Sequence, residues 1–228
     1  MKENIENVSK EKITSFDVLG QRYDLPYSTT GNPTKEHILI ESTMLFALKG
    51  YAAVSMRDIA AKAGVTPGAL YNHFTSKEDL WEAVVDHAMQ LYFLYHKNLD
   101  EALEKADTFE EVLEMIFAEP TRMKNMFTCY AFGLIQTEQF RSEHAGKIFN
   151  GTFLEYGIRF AQKWFDRCIE RGLVRAFDTH TVATVFIHGV MIGINLKVQE
   201  SLKRDIPYDI TRMFEDLRQF ILRSVSAP

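Results

Sequence analysis

The sequence is poor in the residues that interrupt or cross-link a chain. It has six prolines, twelve glycines and two cysteines among 228 residues. So few turn-forming residues favour long helices over a sandwich or a barrel, both of which need many turns. Cys129 and Cys168 have no metal-ligand spacing, which suggests a reducing compartment and no disulfide framework. We therefore predict an all-α fold.

Signals for export or for a membrane are also missing. Residues 1–16 hold no apolar stretch of the kind found in signal peptides. No uninterrupted apolar run reaches the length of about 18 residues that marks a membrane-spanning helix. We expect a cytoplasmic protein that has no membrane partner.

Positive charge is not in excess. The chain carries 26 Lys and Arg residues against 31 Asp and Glu residues, which gives a formal net charge of -5. This balance excludes a polycationic protein that coats nucleic acid over its whole surface. Any surface for nucleic acid would have to be confined to one part of the chain.

Helical periodicity and turn residues divide the chain into three parts. Residues 1–33 are mixed polar and charged, and they predict a partly mobile N-terminal extension whose few apolar side chains could dock on the folded body. Residues 34–80 contain several short helical segments, whereas residues 81–228 contain longer ones. We predict an N-terminal head of three helices followed by a larger helical domain.

Three helix start signals lie close together in the head. Ser55–Asp58 and Ser76–Asp79 both have a hydroxyl residue followed three positions later by a carboxylate, and Thr66–Pro67 joins a hydroxyl cap to a proline at the first helical position. Gly64 can adopt the positive φ that is needed just after the second helix. This spacing is typical of a helix-turn-helix.

The predicted third helix, residues 67–73, is too short and too polar outside to be an ordinary core helix. Such a helix can meet base edges in a major groove, while hydroxyls, backbone amides and a lysine at the following helix contact phosphates. The candidate DNA-binding residues are Ser55, Thr66, Pro67, Gly68, Ala69, Tyr71, Asn72, His73 and Lys77.

Other interpretations of these residues stay open. The head could be a generic three-helix bundle, Tyr71 could be a packed aromatic, and His73 could cap its own helix. Residues 31–80 contain five Lys or Arg and five Asp or Glu, so they are formally neutral. We therefore expect few phosphate contacts per subunit, which favours binding as a dimer.

The stretch Ser55–Leu80 resembles the DNA-binding domain of the tetracycline-repressor (TetR) family. It reads SMRDIAAKAGVTPGALYNHFTSKEDL and matches the family pattern of a hydroxyl residue before x-x-Ile-Ala, then Ala-Gly-Val, Gly-x-Leu-Tyr-x-His-Phe and Ser-Lys-Glu-x-Leu. The resemblance covers residues 34–89, about a quarter of the chain. It implies a homodimeric repressor that releases its operator when a small molecule enters the C-terminal domain. The 33-residue lead is longer than is common in that family.

The larger domain, residues 81–228, offers candidates for ligand binding and dimerisation. Aromatic and Met side chains with a few polar tips line mostly apolar cavities as well as ordinary cores. The candidate ligand-pocket residues are Tyr92, His96, Met115, Met126, Tyr130, Phe132 and Phe153. Two glycines four apart and a large apolar helix face predict a four-helix dimer contact. The candidate interface residues are Trp164, Phe165, Ile169, Gly189 and Gly193.

No pattern in the sequence indicates an enzyme. There is no nucleophile elbow, no Gly-rich phosphate loop, and no His or Cys spacing typical of a metal site. We predict no catalytic residues, no metal and no cofactor. Two other classes stay open: a DNA-binding module controlled by a protein partner, and an enzyme or ligand carrier that retains the head. The effector, the operator and the choice between repression and activation stay open as well.

Overall fold

The computed structural model describes residues 14–18, 21–25, 30–122 and 126–225. From residue 30 onwards these residues form helices and the short turns between them, which confirms the predicted all-α class. A π-helical segment, Phe149–Tyr156, joins the seventh and eighth α-helices. The α-helices are α1 Pro33–Lys49, α2 Met56–Lys62, α3 Pro67–Tyr71, α4 Lys77–Leu103, α5 Phe109–Arg122, α6 Met126–Glu138, α7 Glu143–Ile148, α8 Gly157–Glu170, α9 Thr179–Ser201 and α10 Ile210–Val225.

A two-stranded antiparallel hairpin precedes the helices. Strand β1, Thr14–Val18, pairs with strand β2, Gln21–Leu25, so that Phe16 lies opposite Tyr23. Strand β1 lies against α1 and strand β2 lies against α6. Sequence analysis predicted only an extension here and missed the strands, because five residues of alternation are too short to distinguish a strand from a polar tail.

The predicted start signals at Ser55 and Thr66 are observed as helix caps, and Asn32 is a further cap that the sequence analysis did not name. The Asn32 side chain accepts a hydrogen bond from the Lys35 amide at 3.0 Å at the start of α1. Ser55 and Asp58 form a complete capping box before α2, and the Thr66 hydroxyl accepts from the Ala69 amide at 3.2 Å before α3. Each such cap typically stabilises a helix by about 1 kcal/mol. These local bonds fix where the short helices of the head begin.

Two predicted helix ends differ from the structure. Helix α3 ends at Tyr71, two residues before the predicted end at His73, because Asn72 and His73 form a turn. Pro120, which we expected to end a helix, lies inside α5, just before its last residues. The proline removes one backbone donor from α5, and the helix continues for only two residues beyond it.

The chain forms two compact units. The first comprises the described residues within Met1–His96 and Lys124–Gly146, and the second those within Lys97–Met123 and Lys147–Pro228. Helix α4 contributes residues to both units. The first unit therefore contains the head, the first part of α4 and helix α6.

The second unit is built around helices α5, α8, α9 and α10. Trp164, Phe165 and Phe214 are all at most 1% exposed at its centre. Helix α8 packs along α9, and α9 packs along α10. Among the described residues, α9 is the one helix that is long and apolar enough to cross a membrane, and 28% of its most apolar stretch is buried.

Candidate nucleic-acid interface

Helices α2 and α3 meet through a tight turn. Gly64 has a φ of +64°, and the Val65 amide donates to the Ala60 carbonyl at 3.0 Å, which closes the end of α2. Ala60 of α2 is only 1% exposed, and its small side chain is buried. Ile59 from α2 and Leu70 from α3 are both fully buried. This arrangement is the helix-turn-helix that the sequence predicted.

Helix α3 exposes most of its surface. Leu70 is its buried residue, whereas Thr66, Pro67, Gly68, Tyr71 and Asn72 are exposed, and Ala69 and His73 are half-buried. Tyr71 is 53% exposed, so the described residues do not enclose its ring as a core aromatic. The face that was predicted to meet base edges is therefore accessible. Its groups are a hydroxyl, an amide, backbone atoms and an aromatic ring, with no charged side chain within α3 itself.

Ser55 lies on one flank of this surface, at the start of α2. Its hydroxyl donates to Asp58 Oδ2 at 2.6 Å, and its backbone amide donates to the same oxygen at 2.8 Å. These two bonds lower the pKa of Asp58. A phosphate would have to compete with this carboxylate for the Ser55 hydroxyl proton. Ser55 thus serves first as a helix cap.

Lys77 lies in the first turn of α4, six residues after the end of α3. Its Nζ is 4.2 Å from the centroid of the Tyr51 ring and 3.5 Å from the Ala52 carbonyl oxygen. The helix start beside it is closed by Ser76 Oγ, which accepts from the Asp79 amide at 3.0 Å. The predicted phosphate ligand is therefore held against the loop between α1 and α2.

Tyr51 was missed by sequence analysis. Its ring lies 5.3 Å from Phe46 and 5.2 Å from Trp81, centroid to centroid. Its hydroxyl donates to Glu78 Oε1 at 3.2 Å. Burial first, and then the negative charge of Glu78, raise the pKa of Tyr51 to about 12, so the phenol stays protonated. Its partners come from α1 and α4, and no local pattern marks such a long-range cluster.

A buried polar pair joins α1 to α4. His87 Nε2 lies 2.9 Å from Glu36 Oε1, and both side chains are at most 1% exposed. Thr30 donates its amide at 3.1 Å and its hydroxyl at 2.9 Å to the other Glu36 oxygen. Burial by itself would raise the pKa of Glu36, but the hydrogen bond and charge of His87, together with Thr30, lower it to about 2. Glu36 is therefore an ionised group inside the first unit.

The predicted ligand-pocket residues are divided between the two units. Tyr130 and Phe132 lie in α6 and are at most 3% exposed, and His96 in α4 is 8% exposed. His96 Nδ1 lies 2.9 Å from the Tyr92 carbonyl oxygen, and the two rings are 4.1 Å apart. Tyr130 and Phe132 are two positions apart and so point to opposite sides of α6. Helix α6 is thus buried on both sides.

Three further members of that set lie elsewhere or are only partly described. Met115 is half-buried in α5, and Phe153 is buried in the π-helical segment; both belong to the second unit. Met126 begins α6, and its side chain lies outside the described residues.

The predicted dimer-interface residues need correction. Trp164 and Phe165 are fully buried in the core of the second unit, and the Trp164 indole donates to Asp100 Oδ1 at 2.8 Å. A Cβ at Gly189 would lie 2.4 Å from Leu217 Cδ2, and one at Gly193 would lie 2.1 Å from Phe214 Cζ. The glycines allow close approach of α9 to α10 of the same chain. Of the five candidates, Ile169 is half-buried on α8.

Other apolar side chains of α9 and α10 are exposed. Val185 is 40% exposed, Ile192 is 57% exposed and Phe220 is 53% exposed. Val185 and Ile192 are seven positions apart, so they share one face of α9. The two glycines that the sequence analysis named lie instead against α10 of the same chain.

No group of three His, Cys, Asp or Glu residues suited to a metal ion occurs in the described part of the chain. Cys168 is buried beside Arg171, and burial raises the pKa of its thiol to about 11. Such a thiol is a core residue rather than a nucleophile.

Two short helices joined by a glycine turn, with the second helix exposed, define a helix-turn-helix protein. Residues 38–84 match the family model described as "Bacterial regulatory proteins, tetR family". Over 88 residues the chain is 35% identical to the uncharacterised HTH-type transcriptional regulator YerO of Bacillus subtilis (strain 168), a match that covers 39% of this chain and 30% of that protein. The segment of residues 38–84 is therefore similar in sequence to the DNA-binding domain of TetR-family regulators.

Solved structures show the same fold over most of the chain. A putative TetR-family regulator from Mesorhizobium loti MAFF303099 superposes with a TM-score of 0.64 at 21% identity, covering 88% of this chain and all of that one. A putative transcriptional regulator from Saccharomonospora viridis, solved in complex with choline, gives 0.67 at 18% identity, covering 85% and 98%. The relatives are described as regulators rather than enzymes.

Proposed function

We propose that this protein is a DNA-binding transcriptional regulator that acts in the cytoplasm on a double-stranded operator. The exposed face of α3 supports this proposal most directly, because Leu70 anchors the helix while Thr66, Tyr71 and Asn72 remain available to a major groove. Lys77 begins α4 six residues after the last residue of α3, and it would supply positive charge for phosphate.

The test is operator binding by the full chain. Duplexes selected from a random-sequence pool are measured by fluorescence anisotropy at several salt concentrations. We expect sequence-specific binding that Tyr71→Ala together with Lys77→Ala weakens at least tenfold. Phe140→Ala is the matched control, because that aromatic ring is 87% exposed but lies outside the helix-turn-helix. No duplex binding by the intact protein would favour a ligand carrier, and wild-type binding by the double variant would refute the assigned contacts.

We further propose that the protein binds as a homodimer through the exposed face of α9 and α10. Val185, Ile192 and Phe220 present apolar surface there that a monomer would leave in water. A pair of helices from each subunit would bury it as a four-helix contact. Two heads so joined would read two half-sites about one helical turn, or a multiple of it, apart.

Light scattering without detergent tests the dimer. We expect a mass near twice the 26.3 kDa of one chain, and Ile192→Glu together with Phe220→Glu should yield monomers. Phe140→Glu is the control, since it places the same charge on an exposed aromatic of the first unit. A monomeric wild type would exclude this dimer, and solubility only in detergent would assign α9 to a membrane instead.

The switch we propose is release of the operator by a small, mostly apolar effector. Helix α4 starts beside the helix-turn-helix at Lys77 and contributes residues to both compact units, so a ligand that favours another position of α4 would change the spacing of the heads. His96, Tyr130 and Phe132 are our candidates for contacts in the first unit. The structural neighbour solved with choline is consistent with an effector of low molecular mass.

A thermal-shift screen of metabolites and drugs identifies effectors, and each compound that stabilises the protein is then added to the protein–operator complex. We expect at least one to lower operator affinity about tenfold, a coupling typical of allosteric proteins, and Tyr130→Ala to weaken its binding. A reporter gene behind the operator then distinguishes repression from activation. Unchanged operator affinity across the whole screen would count against the ligand switch and favour control by a protein partner.

A further inference from the structure

We propose that Tyr51 is a positioning residue for DNA binding: its ring holds the Lys77 ammonium group at the operator-facing end of α4. This inference rests on the proposed function, in which Lys77 contacts a backbone phosphate. Tyr51 itself need not touch DNA.

The ring of Tyr51 is fixed in place from two sides. Phe46 of α1 and Trp81 of α4 lie 5.3 and 5.2 Å from it, and the Phe46 and Trp81 rings are themselves 6.0 Å apart. Phe46 is fully buried and Trp81 is 6% exposed. Three mutually contacting aromatic rings leave Tyr51 little freedom to rotate.

Lys77 lies over this fixed ring. Its Nζ is 4.2 Å from the ring centroid, within the distance at which a cation is attracted to the face of an aromatic ring. The carbonyl oxygen of Ala52 lies 3.5 Å from the same nitrogen. Lysine side chains at a surface normally sample many rotamers, so a ring and a carbonyl that favour one of them reduce the entropy lost when phosphate binds.

The hydroxyl of Tyr51 binds the neighbouring carboxylate. It donates to Glu78 Oε1 at 3.2 Å. Within the described residues Lys77 makes no salt bridge with a carboxylate, although its charge, after the hydrogen bonds from the backbone amide and from Tyr51, helps to lower the pKa of Glu78. The raised pKa of Tyr51 keeps this donor protonated. Tyr51 therefore binds the Glu78 carboxylate with its hydroxyl and the Lys77 ammonium group with its ring. These two adjacent residues of opposite charge contact different parts of the same side chain. A lysine that is not paired with an acid can give its charge to a phosphate.

The salt dependence of operator affinity tests this inference, because it reports how many phosphates the protein neutralises. The slope of log affinity against log salt changes by about 0.9 for each phosphate that is no longer neutralised, hence by about 1.8 for a dimer with one such phosphate at each subunit. We expect Lys77→Gln to reduce the slope by this amount and Tyr51→Leu to reduce it by most of it. Tyr51→Phe, which keeps the ring but loses the hydroxyl bond to Glu78, should reduce the slope much less than Tyr51→Leu does. The double variant Tyr51→Leu with Lys77→Gln should match Lys77→Gln alone.

A second measurement uses the wild-type protein and does not depend on the folding of Tyr51→Leu. Protons next to the Lys77 ammonium group should be shifted upfield by the ring current of Tyr51, with their signals identified by their disappearance in Lys77→Gln. Chemical shifts for these Lys77 protons equal to those of an exposed lysine would overturn the inference. So would a full slope in a folded Tyr51→Leu protein. Absence of duplex binding by the wild type would instead refute the proposed function, so the two failures are distinct.

Discussion

The first unit and the second unit are both helical, but different forces specify them. In the head, short helices begin at side-chain caps and turn at a glycine, so Ser55, Gly64 and Thr66 determine the structure locally. In the second unit, long helices are held by large apolar side chains such as Trp164 and Phe214, which meet across distant segments. Local signals can be identified in a sequence, whereas long-range packing cannot. A function could therefore be predicted from the head, whose structure is specified by residues close together in the sequence.

Of the substitutions that distinguish the two units, Trp164→Ala should cause the largest loss in the free energy of unfolding. This side chain is fully buried in the second unit, so its removal leaves a cavity that should cost about 3–5 kcal/mol in the free energy of unfolding. Urea denaturation followed by circular dichroism measures it. If the variant instead kept its unfolding free energy and only dissociated into monomers, Trp164 would belong to an interface after all.

A smaller effect, dependent on pH, should arise from the ionised Glu36 in the first unit. The folded state lowers its pKa from 4.5 to about 2, so the stabilisation is complete above pH 4.5 and is lost as the pH falls from 4.5 towards 2. The shift corresponds to about 3 kcal/mol. We expect Glu36→Gln to lower the unfolding free energy at pH 7 by about that amount and to flatten its acid dependence.

Glu215 in α10 of the second unit provides the control for Glu36. Its pKa is also lowered to about 2, first by the hydrogen bond from Arg218 and then by that from Gln219, but the carboxylate is half exposed. Water screens an exposed pair, so Glu215→Gln should change stability much less than Glu36→Gln. Equal changes would show that burial does not distinguish the two carboxylates.

The smallest change in the free energy of unfolding should come from removing a helix cap in the head. Ser55→Ala removes the α2 cap, and we expect a decrease of about 1 kcal/mol in the unfolding free energy. Because α2 supports α3, operator affinity should fall as well, as fluorescence anisotropy would report. Ser224→Ala, which removes a hydroxyl bonded within α10, is the matched control and should leave operator affinity unchanged. If both substitutions acted alike, the cap would have no special part.

The head was predictable because its determinants are neighbours in sequence. The capping box at Ser55 and the positive φ at Gly64 depend on residues only a few positions away. Tyr51 could not be predicted, since its role depends on Phe46 and Trp81, which reach it from two helices. The hairpin was missed for a related reason, because its pairing depends on contacts with α1 and α6 as well as on its short alternation.

In the second unit, the glycine pattern does mark a close helix contact, and that contact lies within the chain. Gly189 and Gly193 do mark a close helix approach, yet the approaching side chains are Leu217 and Phe214 of the same chain. Small residues spaced by four show that some helix comes near, and they carry no information on which one. The same holds for Trp164, whose size predicts burial but not whether its own chain or a second subunit covers it.

The absence of charged side chains from α3 has a consequence for the search for a site on a chromosome. Attraction to arbitrary DNA is almost wholly electrostatic, so a recognition helix without charge, in a head of five positive and five negative residues, should leave random sequence quickly. Few molecules would then be sequestered along the rest of the genome. Occupancy of a true operator would depend on the ratio between the affinity for the operator and the affinity for other sequences. The absolute affinity would matter less. A regulator of this kind can be kept at a low copy number.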